Sequence, residues 1–472
     1  MDLRTRFKNR DVDFTSGSIL KKILIFGLPI LIGSIFQQLY NIVDSVVVGN
    51  YVGTEALAAV GNASTISFCL VGITIGLTTG SSVAIAQLTG ARQTGHIKRA
   101  ISTAFIFCLV VAVVLTMIGV FLARPIMGWV RVPDELMHDS VLYMSIFTGG
   151  CLFLMTYNFF SATLRAMGDS FTPLIFLIIA TILNIIGDLF FVIVLNMGVA
   201  GVAIATVIAQ AVSAVLCVIY CRRKMEYFRF SKGEFVFDRS LFKDIVRLSV
   251  PGAIQFAAGS LGFVMVQGLI NTFGTSYIAA YTATNRLEGF AHLPIECFSQ
   301  ALAVFVGQNI GAGNFPRIRK ALVRVIITLC SVCGIIAILV YTIGPQMISI
   351  FVSEGNDDVI KIGAHFLRIW APFTVIFSLM NCFNSVLRGA GDSIFVMLSS
   401  FLDIGVRTMA AYFLILVVGM DYFGIAYAMM IGWSASLIEV LIRYCTGRWK
   451  VKTIKAINSG ESKLSKAADP GE

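Results

Sequence analysis

The sequence predicts an all-α integral membrane protein of twelve transmembrane helices, arranged as two parallel-repeat six-helix bundles around a central cleft. Three observations carry this expectation. Hydrophobic residues make up 57% of the 472 and charged residues only 13%, with a mean hydropathy of +0.85, so the bilayer must be the solvent. Basic residues gather at the start of the chain and in every second loop. The chain also repeats itself at an offset of 221 residues, Gly53, Ala59, Gln87, Gly90 and Ala91 returning as Gly274, Ala280, Gln308, Gly311 and Ala312.

Taken in order, the apolar runs lie at 20–48, 56–88, 97–123, 136–164, 171–195 and 199–221, then at 246–272, 277–306, 318–343, 358–386, 393–418 and 423–445. Each is long enough to cross a hydrocarbon layer of about 30 Å at 1.5 Å per residue. The short alternating segments of a β-barrel are missing. The first run is too long for a cleavable signal and no small-residue cleavage site follows it, so it is expected to remain as the first helix. The expected layout is a cytoplasmic N-terminus 1–18, an N-lobe 19–221, a cytoplasmic linker 222–245, a C-lobe 246–445 and a cytoplasmic tail 446–472, polar and expected to be disordered.

A net charge of +10 would also suit a nucleic-acid partner, but the placement of the charges argues for a membrane and against nucleic acid. Arg4, Arg6, Lys8, Arg10, Lys21 and Lys22 precede the first span, and Arg92, Lys98 and Arg99, then Arg165, then Arg317, Arg319 and Lys320 mark alternate loops. The intervening loops at 49–55, 196–198, 271–276 and 419–422 have no Lys or Arg. The positive-inside rule therefore puts both termini in the cytoplasm, which requires an even number of spans. Both halves then enter from the same side, and parallel halves can rock about an axis along the membrane normal, as alternating access requires. The ten cysteines are scattered through apolar spans and read as packing residues, including the one CxxC pair, Cys330 and Cys333.

Ionisable groups inside spans cost about 2.5–3.5 kcal/mol each at mid-bilayer, so each calls for a partner or a task. Gln37, Asn41 and Asp44 share one face of the first helix, and Thr181, Asn184 and Asp188 one face of the fifth. Helix geometry puts Asp44 roughly 30 Å and Asp188 roughly 26 Å from the cytoplasmic ends of their helices, with Thr206 roughly 10 Å below the outer surface. All three reach one layer. Asp44, Asn184, Asp188 and Thr206 would offer hard oxygen ligands to a small cation, or two carboxyls able to keep a proton between them. In the second half Arg407 and Ala411 replace Asn184 and Asp188, so that half cannot repeat the set. Arg286, Glu288, His292 and Glu296 on the eighth helix and Asp403 with Arg407 on the eleventh collect there instead. Arg286, Glu288, Asp403 and Arg407 are expected near mid-membrane as a charge-neutral network, with contact to a cationic substrate or a proton relay through Glu288, His292 or Glu296 as the other option.

No HExxH, GxSxG or Walker sequence is present, so neither an enzyme nor a nucleotide-driven pump is expected, and no cofactor. The paired LRxxGDS blocks at 164–170 and 387–393, the paired Gln87–Ala91 and Gln308–Ala312 blocks, and a first helix with Pro29, Gln38 and Asp44 resemble the multidrug and toxic compound extrusion family. The resemblance spans about Ile19 to Arg443. It implies an exporter of small organic, often cationic compounds by proton or sodium antiport, with Asp44, Asn184, Asp188 and Thr206 matching the N-lobe ion site of its bacterial and archaeal branch. No metal is expected beyond that possible Na+. Pro29 is the expected hinge, and a monomer in the cell membrane, with small-molecule substrates and the bilayer as partners, the expected state. The alternative, a lipid-linked-precursor flippase of related fold, would need a strongly basic cavity, and only Arg286 and Arg407 lie within the spans.

Overall fold

A computed structural model describes residues 12–231, 233–351 and 356–451. The tail beyond 451, where disorder is expected, lies outside them. Among the described residues the chain is helical without strands, and its principal helices are numbered here in chain order. The first half contains α1 (Ile19–Val47), α2 (Thr54–Gly90), α3 (Thr94–Phe121), α4 (Ala123–Trp129), α5 (Asp134–Gly149), α6 (Cys151–Ala166), α7 (Phe171–Leu189) and α8 (Gly198–Lys224). The second contains α9 (Arg239–Ile270), α10 (Thr275–Gly311), α11 (Phe315–Ser349), α12 (Asp357–Trp370), α13 (Thr374–Gly389), α14 (Ser393–Tyr412) and α15 (Gly424–Cys445).

Among the described residues eleven spans are long and apolar enough to cross a membrane, α12 and α13 counting together as Asp357–Gly389, and the pair α5–α6, bent by 46°, makes a twelfth if taken as one span. Each expected apolar run thus has its helix. Ile338, Leu416 and Val417 are 65–71% exposed, an arrangement water would punish and lipid accepts. The fourth and tenth runs, continuous in hydropathy, are broken in the structure. Gly149 and Gly150 meet at the first break, and Pro372, which has no N–H to donate, sits in the 3-10 turn Ala371–Phe373 at the second.

The repeat is visible element by element. Helices α2 and α10 are both 37 residues long and start 221 residues apart. The LRxxGDS blocks make matching turns: Gly168 (φ 104°) and Gly391 (φ 89°) take the left-handed conformation that a side chain would strain. The following acid then holds the next helix, Asp169 Oδ1 accepting from the N–H groups of Phe171 (3.1 Å) and Thr172 (2.9 Å). In the second half Asp392 instead pairs with Arg443, Nε to Oδ2 at 2.8 Å. Both blocks are therefore structural. A π turn follows α7 at Phe190–Val194 and again follows α14 at Phe413–Val417, 223 residues later.

The chain divides into two units, one built mainly from Leu28–Ala253 and the other from Thr15–Gly27 with Ile254–Thr453. These differ from the expected lobes 19–221 and 246–445 at the leading helix of each half. The opening segment of α1 packs in the second unit: Phe298 closes on Gly27, and Arg317 donates to the carbonyls of Ser16 and Gly17. The opening segment of α9 packs in the first, where Leu241, Ile245, Leu248 and Ala253 join the buried core beside Leu77, Val83 and Ile101. Ser81 and Ser249 touch through their hydroxyls at 3.2 Å. Gly80 lets the α2 backbone reach that of Leu248 and Ser249 so closely that any Cβ would collide. Pro29 and Pro251 stand within two residues of the two divisions, each inside an unbroken helix.

The linker belongs to the first unit. Ser102 donates to the Val236 carbonyl at 2.7 Å, Thr103 accepts from the Asp238 N–H at 3.0 Å, and Lys98 pairs with Glu234 at 3.0 Å. The Ser231 N–H and the Lys98 ammonium hold the Glu234 carboxyl below the usual glutamate range.

Candidate ion-binding site

Within the first unit, α7 turns Thr181, Asn184 and Asp188 to one side, and all three are buried, Asp188 completely. Thr206 meets them from α8. The Asn184 amide donates from Nδ2 to Thr206 Oγ1 at 3.3 Å, and that hydroxyl donates in turn to the Val202 carbonyl at 3.0 Å. Asp44, half-buried on α1, brings its carboxyl against that of Asp188. Two acceptors thus face each other. No donor reaches Asp44 Oδ1, either oxygen of Asp188, Asn184 Oδ1 or Thr181 Oγ1. Buried acceptors without donors are costly, and one proton or small cation among them would satisfy several at once.

The remaining first-helix residues behave differently. Gln37 is exposed and bonds Tyr40, while Asn41 is exposed with its carbonyl taken by Ser45 Oγ at 3.0 Å, so neither joins the oxygen group. Two residues that pattern reading missed do lie beside it. Tyr40, one turn before Asp44, and Tyr143 of α5, in contact with Ser64, both feel the charge of Asp44. Apolar periodicity counts a tyrosine as a wall residue, which hides its hydroxyl. The π turn after Asp188 cannot serve as a marker of the site, since its twin follows α14, where Ala411 replaces the acid.

In the second unit the six charged or titratable candidates separate. Arg286, expected in the neutral network, is exposed with its guanidinium 5.9 Å from the Phe351 ring centre. Glu288 is buried with Arg407 nearby, and Asp403 also lies near Arg407, yet no ion pair within 4.0 Å joins any of these four residues. Glu288 Oε1, Asp403 Oδ1 and Arg407 Nε have no hydrogen-bond partner. His292 stacks on Phe377 at 4.3 Å with Trp370 and Trp433 around it, and its Nε2 is also unpartnered. Glu296 is exposed and feels Arg388, which donates to Gln255 Oε1 at 3.2 Å, while Gln255 donates to Ser400 Oγ at 2.7 Å. Arg388 reads in the sequence as a loop cation because the LRxxGDS block lies at the end of a span; its partners Gln255 and Glu296 come from two other helices.

The family model MatE matches twice, over residues 29–190 and 251–413, more than half of the chain. The chain belongs to the MatE family. As a MatE protein it is a multi-pass membrane transporter of the multidrug-efflux type and not an enzyme. It is similar to the probable multidrug resistance protein YoeA of Bacillus subtilis, 28% identical over 448 residues, covering 93% of this chain and 96% of that one. The probable multidrug resistance protein YpnP of the same organism is 27% identical over 441 residues, 93% and 97% covered. A solved structure of a MOP superfamily transporter from Pyrococcus furiosus has the same fold, with a TM-score of 0.86 at 21% identity and 94% and 98% covered. The two matches of the MatE model, one per half, agree with the internal repeat.

Proposed function

We propose that this MatE transporter expels small organic cations in exchange for protons or sodium ions that bind between Asp44 and Asp188. One observation carries the reading: two carboxyls face each other in the first unit with no donor between them, beside further unsupplied oxygens of Asn184 and Thr181. Emptied of its ion, such a site holds adjacent like charges away from bulk water. Loaded with one monovalent ion, it carries a single negative charge instead of two. A change of that size at one place can bias a two-state protein only if the ion binds the states differently. Binding would draw α1 and α7 together, and Pro29 gives α1 a weak point at which to bend. Similarity to probable multidrug resistance proteins supports a drug-like cargo, and the distribution of Lys and Arg supports cytoplasmic termini.

Entry of one positive charge at 100 mV releases about 2.3 kcal/mol, enough for roughly a 50-fold concentration ratio in one-to-one exchange. The test is ethidium transport in reconstituted vesicles with pH and sodium gradients imposed separately. Wild type should accumulate the dye uphill under one gradient, and the Asp44→Asn, Asp188→Asn variant should fold yet fail to do so. Normal uphill transport by that variant would reject the site and turn attention to Glu288, His292 and Glu296.

A further inference from the structure

At the basic end of the second unit two adjoining cavities of about 710 and 540 Å³ share Pro316, Lys320 and Arg324. They lie where α11 begins and α15 ends. The larger is walled by Arg319, Lys320, Arg324 and Lys450 together with Tyr444 and Trp449. Its aromatic side is firmly built: the Trp449 indole is 3% exposed, donates from Nε1 to the Tyr444 carbonyl at 3.0 Å, and stacks on the Tyr444 ring at 5.5 Å and 11°. The cationic side is open. Arg319, Lys320, Arg324 and Lys450 are all exposed, and among the described residues none has a carboxylate within 4.0 Å.

Four like charges around one cavity repel each other, and apart from the Trp449 ring, whose centre is 5.9 Å from Lys450 Nζ, the described residues set no counter-charge against them, so the complement is an anion. Its class follows from the surroundings. Val323 also lines the cavity at 51% exposure, and one turn deeper on the same face of α11 Ile327 is 61% exposed, so the cationic mouth continues into an apolar surface directed at lipid. A soluble phosphate would use the mouth and leave that surface idle. We propose that this groove binds an anionic phospholipid, its phosphate-bearing headgroup among Arg319, Lys320, Arg324 and Lys450 and one acyl chain along Val323 and Ile327. Tyr444 and Trp449 then sit at headgroup level, where aromatic rings with a polar edge are favoured, and basic pockets at this depth suit anionic headgroups. The groove shares no residue with the Asp44–Asp188 site.

Purified transporter in detergent is titrated with dioleoylphosphatidylglycerol or dioleoylphosphatidylcholine, and bound lipid is counted by native mass spectrometry. The expected result is retention of phosphatidylglycerol at least tenfold tighter than phosphatidylcholine, reduced at least tenfold in Arg319→Gln, Arg324→Gln, Lys450→Gln. A control triple variant at another basic cluster, Arg222→Gln, Arg223→Gln, Lys224→Gln, should bind as wild type does. Phosphatidylglycerol brominated on its chains should quench tryptophan emission, and Trp449→Phe, which keeps every charge, should remove most of that quenching. Equal retention of the two lipids, undiminished binding by the groove variant, or an equal loss in the control would overturn the proposal. So would displacement of the lipid by sn-glycerol 3-phosphate or inorganic phosphate at matching concentration, which would assign the cations to a soluble anion.

Discussion

The Asn184 side chain donates from Nδ2 to Thr206 Oγ1 at 3.3 Å and leaves its own amide oxygen buried without a donor. The bond orients the amide. Because the nitrogen is committed to α8, the oxygen is the free end, on the face of α7 that also carries Asp188. A neutral group fixed in this way can contribute to an ion site as a ligand without changing its charge.

Removing it should therefore weaken ion binding without abolishing coupling. Asn184→Ala and Thr206→Ala should each raise the ion concentration for half-maximal ethidium transport by about 2- to 10-fold, as loss of a contact worth about 0.5–1.5 kcal/mol would. Transport measured across a range of sodium or proton concentrations checks this. Complete loss, or no shift, in both variants would remove Asn184 from the site.

The α9 opening segment can be tested by locking it. Ser81 and Ser249 are buried with hydroxyls 3.2 Å apart, close enough for a disulfide to replace the contact. With Cys108, which also contacts Ser81, changed to Ala, Ser81→Cys with Ser249→Cys should oxidise readily and retain most of its transport. If this segment moved against α2 during the cycle, oxidation would arrest flux and reduction would restore it.

Gly432 sits where α15 meets the charged stretch of α14. A Cβ there would lie 2.6 Å from Asp403 Oδ1 and 2.7 Å from Arg407 Cβ. Gly432→Ala should destabilise the second unit by about 1–3 kcal/mol, the usual cost of overpacking, and lower the melting temperature in detergent. An unchanged melting temperature would mean that α14 and α15 separate more easily than their contact suggests.

Linker docking should depend on pH with a definite sign. The Ser231 N–H and Lys98 depress the Glu234 carboxyl, so its contribution is complete at neutral pH and is lost as pH falls through the lowered value. A nitroxide on Phe235→Cys should gain mobility only at pH values below the ordinary glutamate range. In the Glu234→Gln background it should be mobile throughout. Mobility independent of pH in the wild-type background would show that Ser102 and Thr103 hold the linker without Glu234.

Hydropathy and charge placement determined the twelve spans, because in lipid every backbone polar group must be satisfied within its own helix and a run of sufficient length has few alternatives. The duplication was equally legible, since Gly168 and Gly391 make the same turn for the same steric reason. Helix periodicity also determined that Asn184 and Asp188 share a face of α7. Only the tertiary structure decided which faces meet. It brought Asp44 to Asp188 and Asn184 to Thr206, left Asn41 exposed, set Arg286 against Phe351, and took Arg388 to Gln255. It also assigned the opening segments of α1 and α9, through contacts such as Ser81 with Ser249. The physical reason is that apolar length is a property of one segment. Pairing of polar groups and close approach at glycine depend on the partner helix, which no single segment contains.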